Sequence, residues 1–242
     1  MKNAVVIIPT YNEIENVEAI IRAVFSESKD VHILIVDDNS PDGTAKKVKA
    51  LQKEFTGRLF IKEREGKGGL GTAYILGFKW SLVRSYEYIF EMDADFSHDP
   101  KDLKRLYKAC AVDGADMSIG SRYVTGVNVV NWPMGRVLMS YLASKYVRLI
   151  TGMKINDTTA GFVCYKRRVL ETLDLTKIKF IGYAFQIEMK FKTHLKHFKI
   201  VEVPVIFTDR VRGESKLSSG IISEAVFGVI SMKLKSLFKR KS

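Results

Sequence analysis

A mostly parallel α/β sheet flanked by helices is the fold this sequence predicts, and three observations predict it. Apolar, strand-like runs alternate with segments of helical spacing through the first half of the chain. The runs are apolar throughout rather than alternating, as strands buried on both faces are. The polar motifs fall at the carboxyl ends of these runs, where ligands bind in open parallel sheets.

Taken in order, Ala4 to Ile8 reads as a buried strand that Pro9 stops. Glu13 to Phe25 carries Ile14, Val17, Ile20, Ile21 and Val24 on one helical face. Val31 to Val36 is a second strand; Pro41-Asp42-Gly43 is turn chemistry, with Asp42 in a structural role, and a helix runs from Ala45 to Phe55. Leu59 to Ile61 is a strand, Leu70 to Val83 a helix and Tyr88 to Met92 a fourth strand. A helix over Asp102–Ala111 and a strand over Met117–Ile119 follow, then a long helical stretch from Pro133 to Ile150. Val163 to Tyr165 and Ile200 to Phe207 read as strands on either side of a helix near Tyr183–His194. The tail from Leu217 to Phe238 is helical and amphipathic and ends in Lys239-Arg240-Lys241. With no repeat and no linker, residues 1–216 read as one domain and 217–242 as a basic helical appendage.

The chain has 242 residues, 46% of them hydrophobic, enough for a real core. A formal net charge of +12 points to a polyanionic partner (nucleic acid, a phosphorylated substrate or an anionic membrane) or to nothing more than a basic, soluble surface. No nucleic-acid motif accompanies the charge, so that class ranks last. Cys110 and Cys164 are too few for a disulfide framework or a zinc site, which fits a reduced, cytosolic compartment. Met1-Lys2-Asn3 and the short run after it do not make a signal peptide. No stretch reaches the roughly 20 apolar residues of a membrane span, so membrane contact is expected to be peripheral.

Asp93-Ala94-Asp95 carries the most information. Two carboxylates one residue apart at a strand end repel each other, and the usual relief is a divalent cation shared with a phosphate. Asp95 is the first-choice metal ligand and Asp93 a second ligand or a sugar contact. After the first strand, Tyr11 offers a face for a base and Glu13 an acceptor, although an ordinary strand-to-helix turn explains them singly as well. After the second strand, Asp38 suits a ribose or base edge. Gly66-Lys67-Gly68-Gly69-Leu70-Gly71 lacks phosphate-loop spacing and is either a close ligand turn or a structural one. Arg210, Arg212 and Lys216 are natural counter-charges for a pyrophosphate.

Pro9-Thr10-Tyr11-Asn12-Glu13, Val36 to Thr44, Asp93-Ala94-Asp95, Gly120-Ser121-Arg122-Tyr123 and Asp209 to Lys216 occur in an order that resembles the polyprenyl-phosphate (dolichol-phosphate) mannose synthases of glycosyltransferase family 2. The resemblance runs from about Val5 to Lys216. It implies the GT-A, Rossmann-like nucleotide-sugar transferase fold, GDP-mannose as donor and a polyprenyl or dolichyl phosphate as acceptor. Pro9, Tyr11, Glu13, Val36 and Asp38 would surround the guanosine. Met92, Asp93, Ala94 and Asp95 would line the ribose, pyrophosphate and mannose, with Mg²⁺ or Mn²⁺ at Asp93 and Asp95. Arg210 and Lys216 would close over the phosphates, Arg210 as a catalytic counter-charge alongside Asp93 and Asp95. Arg122, Arg136 and Ser140 match positions that hold the lipid phosphate.

Ser97 stands where some relatives carry Gln near the metal. Many microbial relatives continue into transmembrane helices, whereas some shorter ones need small membrane subunits. The implied reaction is inverting transfer at the cytoplasmic face of a membrane, with the basic tail helix either lying in the membrane interface or packed on protein. Two other readings stay open: a polyprenyl-phosphate transferase using UDP-glucose or another nucleotide sugar, and a non-catalytic sugar-nucleotide-binding subunit.

Overall fold

The computed structural model describes residues 1–182, 184–209 and 220–239, without the side chains of 220–226 and 238–239. Nine strands and eight α-helices follow in chain order among them. They are β1 (Ala4–Thr10), α1 (Val17–Glu27), β2 (His32–Asp37), α2 (Thr44–Leu51), β3 (Leu59–Glu63), α3 (Leu70–Leu82) and β4 (Tyr88–Glu91). Then come α4 (Leu103–Ala111), β5 (Met117–Ser121), β6 (Val129–Val130), α5 (Met134–Thr151), β7 (Val163–Lys166) and α6 (Arg167–Thr172). The chain ends in α7 (Ala184–Leu195), β8 (Ile200–Pro204), β9 (Phe207–Thr208) and α8 (Gly220–Lys239).

The main sheet has the order β3-β2-β1-β4-β7-β5-β8. All its pairings are parallel except those of β7, which runs antiparallel to both β4 and β5. The chain runs outward from β1 through β2 to β3 and then crosses back to β4 on the other side of β1, so a crevice opens at the carboxyl ends of β1 and β4. Alternate strand residues point to opposite faces. Val5, Ile7, Leu34, Val36, Ile89 and Tyr165 therefore pack with α3 and α7, while Val6, Ile8, Ile33, Ile35, Phe90 and Cys164 pack with α1 and α4. Each fully buried Ile or Val contributes on the order of 1.5–3 kcal/mol. Helix α3 crosses β1 so closely that a Cβ on Gly77 would meet Ile7 Cγ2 at 2.7 Å.

Three local expectations change. Pro9 does not stop β1, which stays in register with β2 through Thr10↔Asp37. The Ile7 carbonyl accepts from Met92 N, so Pro9, two residues on, points its missing N–H to the same side, where β4 pairing has ended. The first helix starts at Val17 rather than Glu13, because Asn12 adopts a φ of 57° and the Glu13 and Ile14 N–H groups are bound by Thr44 Oγ1 and Asp42 Oδ2. Ile200 to Phe207 divides into β8 on the main sheet and β9, which pairs with β6 in a separate two-stranded ribbon.

Candidate active site

The polar motifs converge at the crevice. On the β1–β2 side, the Asp37 carboxylate is used internally: it accepts from Thr10 Oγ1 at 2.9 Å, Ser40 Oγ at 2.6 Å and Ser40 N at 2.9 Å. Asp38 is engaged by Arg64, which follows β3. Nη2 donates to Oδ2 at 3.1 Å, and Nε lies 2.8 Å from Oδ1. Burial pushes the Asp38 pKa up and Arg64 pulls against it, with the upward shift prevailing. Tyr11 has the Lys67 ammonium 5.0 Å from its ring centre, and Glu13 accepts from Asn16 Nδ2 at 2.9 Å. The glycine-rich turn leads into α3 through Gly69, whose φ of 92° is in the region that glycine adopts freely. Val36 and Met92 are fully buried and Ala94 nearly so, main chain included.

At the end of β4 the two carboxylates are half-buried. Asp93 Oδ1 accepts from the Tyr74 hydroxyl at 3.4 Å, and Asp95 Oδ1 from Ser97 N at 3.1 Å. Behind them His98 is buried against Phe162, and its Nδ1 accepts from Asp93 N at 3.3 Å. That bond needs an unprotonated Nδ1, and burial supplies the condition by pushing the ring's pKa down to about 4. The Ser97 hydroxyl is buried with no hydrogen-bond partner among the described residues. No group of three or more His, Cys, Asp or Glu able to hold a metal occurs among the described residues. Two carboxylates with a nearby orphaned hydroxyl nevertheless fit a hard divalent cation that draws its remaining oxygens from a phosphate and water.

Opposite lies a cationic pole after β5. Arg122 is bound by Asp157: its Nε, Nη2 and backbone N donate to the carboxylate at 2.7, 2.6 and 3.0 Å, and Nη2 also reaches Thr159 Oγ1 at 2.9 Å. Its guanidinium lies 5.3–5.5 Å from the rings of Tyr123, Trp132 and Phe207. Arg136 stacks over Trp132 at 4.1 Å and pairs with Asp209 at 2.9 Å. Ser140, a turn further along α5, sits beside the Tyr123 hydroxyl. Thr208 N donates to the Ser97 carbonyl at 3.4 Å and Asp209 N to Val130 at 3.0 Å, bringing the chain up to Asp209 alongside both poles. Arg210, Arg212 and Lys216 lie outside the described residues.

Several residues that sequence reasoning passed over are central here. Asp157 sits in the polar run Asn156-Asp157-Thr158-Thr159, whose density ahead of a strand was its one signal. Glu91 and Lys190 are charged residues inside otherwise apolar segments, and both are fully buried. Burial pushes Glu91 up and Lys190 down, and each one's opposite charge resists the other's shift. Arg64 and Tyr74 carried no local signal at all.

A mostly parallel sheet with acidic and cationic groups at its carboxyl edge fits a GT-A glycosyltransferase. The family model for Glycosyl transferase family 2 matches residues 5–174, and the chain belongs to that family. It is 44% identical to the polyprenol monophosphomannose synthase of Mycolicibacterium smegmatis over 239 residues, covering 99% of this chain and 90% of the relative. It is also 44% identical to the undecaprenyl-phosphate mannosyltransferase of Micrococcus luteus, covering 92% of this chain and 90% of that one. Among solved structures, the fold is similar to glucosyl-3-phosphoglycerate synthase of Mycobacterium tuberculosis in complex with Mn²⁺ and UDP-glucose. The TM-score there is 0.70 at 16% identity, covering 96% of this chain and 79% of that one. It is similar as well to the mannosyltransferase PcManGT of Pyrobaculum calidifontis in complex with GDP-mannose and Mn²⁺, with a TM-score of 0.60 at 19% identity, covering 88% and 58%.

Proposed function

We propose that this enzyme transfers mannose from GDP-mannose to a polyprenyl monophosphate at the cytoplasmic face of a membrane, with inversion. The observation that carries the reading is α5, whose inner face brings Arg136 and Ser140 to the cationic pole while its opposite, outer face exposes a row of large apolar side chains. A phosphate carried on a lipid chain needs both. The names of the two 44%-identical relatives support the same acceptor chemistry. An acceptor phosphate oxygen forms a bond to the anomeric carbon as that carbon's bond to the GDP β-phosphate oxygen breaks, the electron pair leaving with GDP. A phosphate monoester is largely a dianion near neutral pH, with its second pKa about 6, so no side chain has to remove a proton. Asp93 and Asp95 would hold Mg²⁺ or Mn²⁺, whose charge offsets that of the leaving diphosphate. Arg210 directly follows Asp209 and, with Lys216, supplies further counter-charge. Asp38, Tyr11, Glu13 and Pro9 frame the nucleoside, with Val36 buried behind them; Arg122, Arg136 and Ser140 aim the acceptor.

The test is purified protein with GDP-mannose, UDP-glucose and other nucleotide sugars, Mg²⁺ or Mn²⁺ and a short polyprenyl phosphate, reading glycolipid product. The expected product is the mannolipid from GDP-mannose alone. Product from UDP-glucose instead overturns the donor assignment.

The surface supports membrane contact. Among the described residues no helix is long and apolar enough to cross a membrane. On α5, Met134, Leu138, Leu142 and Leu149 are exposed, Leu149 by 83%, within an arc of about 80° at 3.6 residues per turn. On α8, Phe227, Ile230, Leu234 and Leu237 form a similar exposed stripe. The two helices pack together, and Val147 and Val229 on their opposite faces enter one core cluster, so both stripes look outward. Helix α5 carries Arg136, Lys145 and Arg148 and no carboxylate, which suits an anionic lipid surface. Flotation with anionic vesicles should fall several-fold for Leu138→Asp/Leu142→Asp and for a form ending at Lys216. Unchanged partitioning of both removes the membrane-interface role.

A further inference from the structure

Beneath the two poles lies a second polar system that the transfer step does not touch. Glu91, the last residue of β4, is fully buried two positions before Asp93. Its Oε2 accepts from Gln186 Nε2 at 2.6 Å and its Oε1 from the Tyr165 hydroxyl at 3.3 Å. One turn along α7, the buried Lys190 ammonium donates to the Ala160 carbonyl at 2.6 Å and reaches Gln186 Oε1 at 3.4 Å. Gln186 thus faces both, with its amide nitrogen toward Glu91 and its amide oxygen toward Lys190. Ala160 belongs to the turn whose Asp157 grips Arg122, and that turn hangs from Glu202 of β8 through the N–H groups of Asn156 and Asp157 at 2.8 and 2.9 Å. A continuous polar chain therefore runs from the strand end that carries Asp93 to the turn that holds Arg122.

Packing alone does not account for it. Each buried ion carries a large desolvation penalty, and apolar side chains of similar volume often serve stability as well or better. Helix α7 supplies such side chains freely, with Phe185, Ile187, Met189 and Phe191 all buried. The polar residues 186 and 190 share the face of α7 turned to the two pole-bearing segments. Hydrogen bonds constrain distance and angle, whereas apolar contacts tolerate sliding.

We propose that Glu91, Gln186 and Lys190 form a positioning strut that sets the separation between the acidic strand end and the Arg122 turn. The inference rests on reading these poles as the donor and acceptor ends of a transfer site. In such a site a misplacement of about 1 Å from a distant change can cost about 10²-fold in rate.

The test is the double variant Glu91→Gln/Lys190→Met, which removes both opposite charges together and leaves neither unpaired. A strut predicts a thermal midpoint close to the native protein's, a kcat lower by about tenfold or more with little change in donor KM, and faster amide exchange at residues 92–95 and 156–161. Native turnover, or native exchange at either segment, overturns the proposal and leaves these residues a stabilising role only. If the double variant does not fold, Gln186→Met is read in the same way. Absence of product from the unmodified protein with every donor counts against the proposed function, while the exchange comparison still decides the strut.

Discussion

Asp95→Ala is expected to lower kcat by at least about 10³-fold, some 4 kcal/mol of transition-state stabilisation, while the protein stays folded. The two effects separate because of how Asp95 is held. Its Oδ1 accepts from Ser97 N at 3.1 Å, and losing a bond of that kind costs about 1 kcal/mol. Its other work, on the proposed reading, is to hold the cation against which the diphosphate departs. Asp95→Asn keeps the acceptor for Ser97 N but not the charge, so it should fold like the native protein and turn over nearly as poorly as the alanine variant. Thermal shift with Mn²⁺ and no nucleotide provides a readout that does not depend on turnover: the native protein should gain stability and both variants should gain less. Near-native product formation by Asp95→Ala would remove Asp95 from the metal site.

How far the sequence displayed this site depends on which physical signal each residue left. The strands were legible because parallel strands covered on both faces must be apolar throughout, as Ala4 to Ile8 and Ile33 to Val36 are. The acidic pole was legible because two carboxylates so close at a strand end need an external partner. Asp157 was less visible. Its partner Arg122 is 35 positions away, and nothing in Asn156-Asp157-Thr158-Thr159 says which cation it will meet. The same holds for Lys190, whose neighbours in sequence are those of any buried helix and whose partners belong to β4 and to the turn at Ala160. Short-range patterns record backbone geometry and burial, whereas polar pairings made across the sheet depend on tertiary contacts. The antiparallel β7 was hidden for that reason as well: Val163 to Tyr165 has the composition of a strand, but its direction follows from where β4 and β5 leave room.

The tail helix shows a related limit. Its apolar and basic residues suit a membrane interface and a packed helix equally, and the structure gives α8 features of both. Val229 is fully buried in the main core and Lys233 Nζ donates to the Thr151 carbonyl at 3.1 Å, while Phe227 on the other side is 73% exposed. A helix of this length can serve both purposes because opposite faces carry them.

The largest stability effect should come from Asp157→Ala. Asp157 is fully buried and Arg122 nearly so, and the carboxylate accepts three hydrogen bonds from that one residue. Removing it leaves a buried guanidinium without its counter-charge, a change that costs about 3–5 kcal/mol. In a chain of this size that lowers the thermal midpoint by on the order of 10 °C. The sign with pH follows from the carboxyl's own shift. Burial pushes its pKa up, but the charge and hydrogen bonds of Arg122 outweigh burial and hold it below the ordinary value of 3.8. A carboxylate depressed in the folded state contributes its full stability above the unfolded pKa and loses it as pH falls through the folded one. The gap between native and Asp157→Ala midpoints should therefore be constant near neutrality and narrow below about pH 4. Activity adds a second readout: on the proposed reading Arg122 aims the acceptor phosphate, and without Asp157 it loses the three hydrogen bonds that orient it. At a temperature where the variant is still folded, the apparent KM for the polyprenyl phosphate should rise while nucleotide binding stays near native. An Asp157→Ala protein with native thermal midpoint and native acceptor KM would show that this pair neither stabilises the fold nor aims the cationic pole.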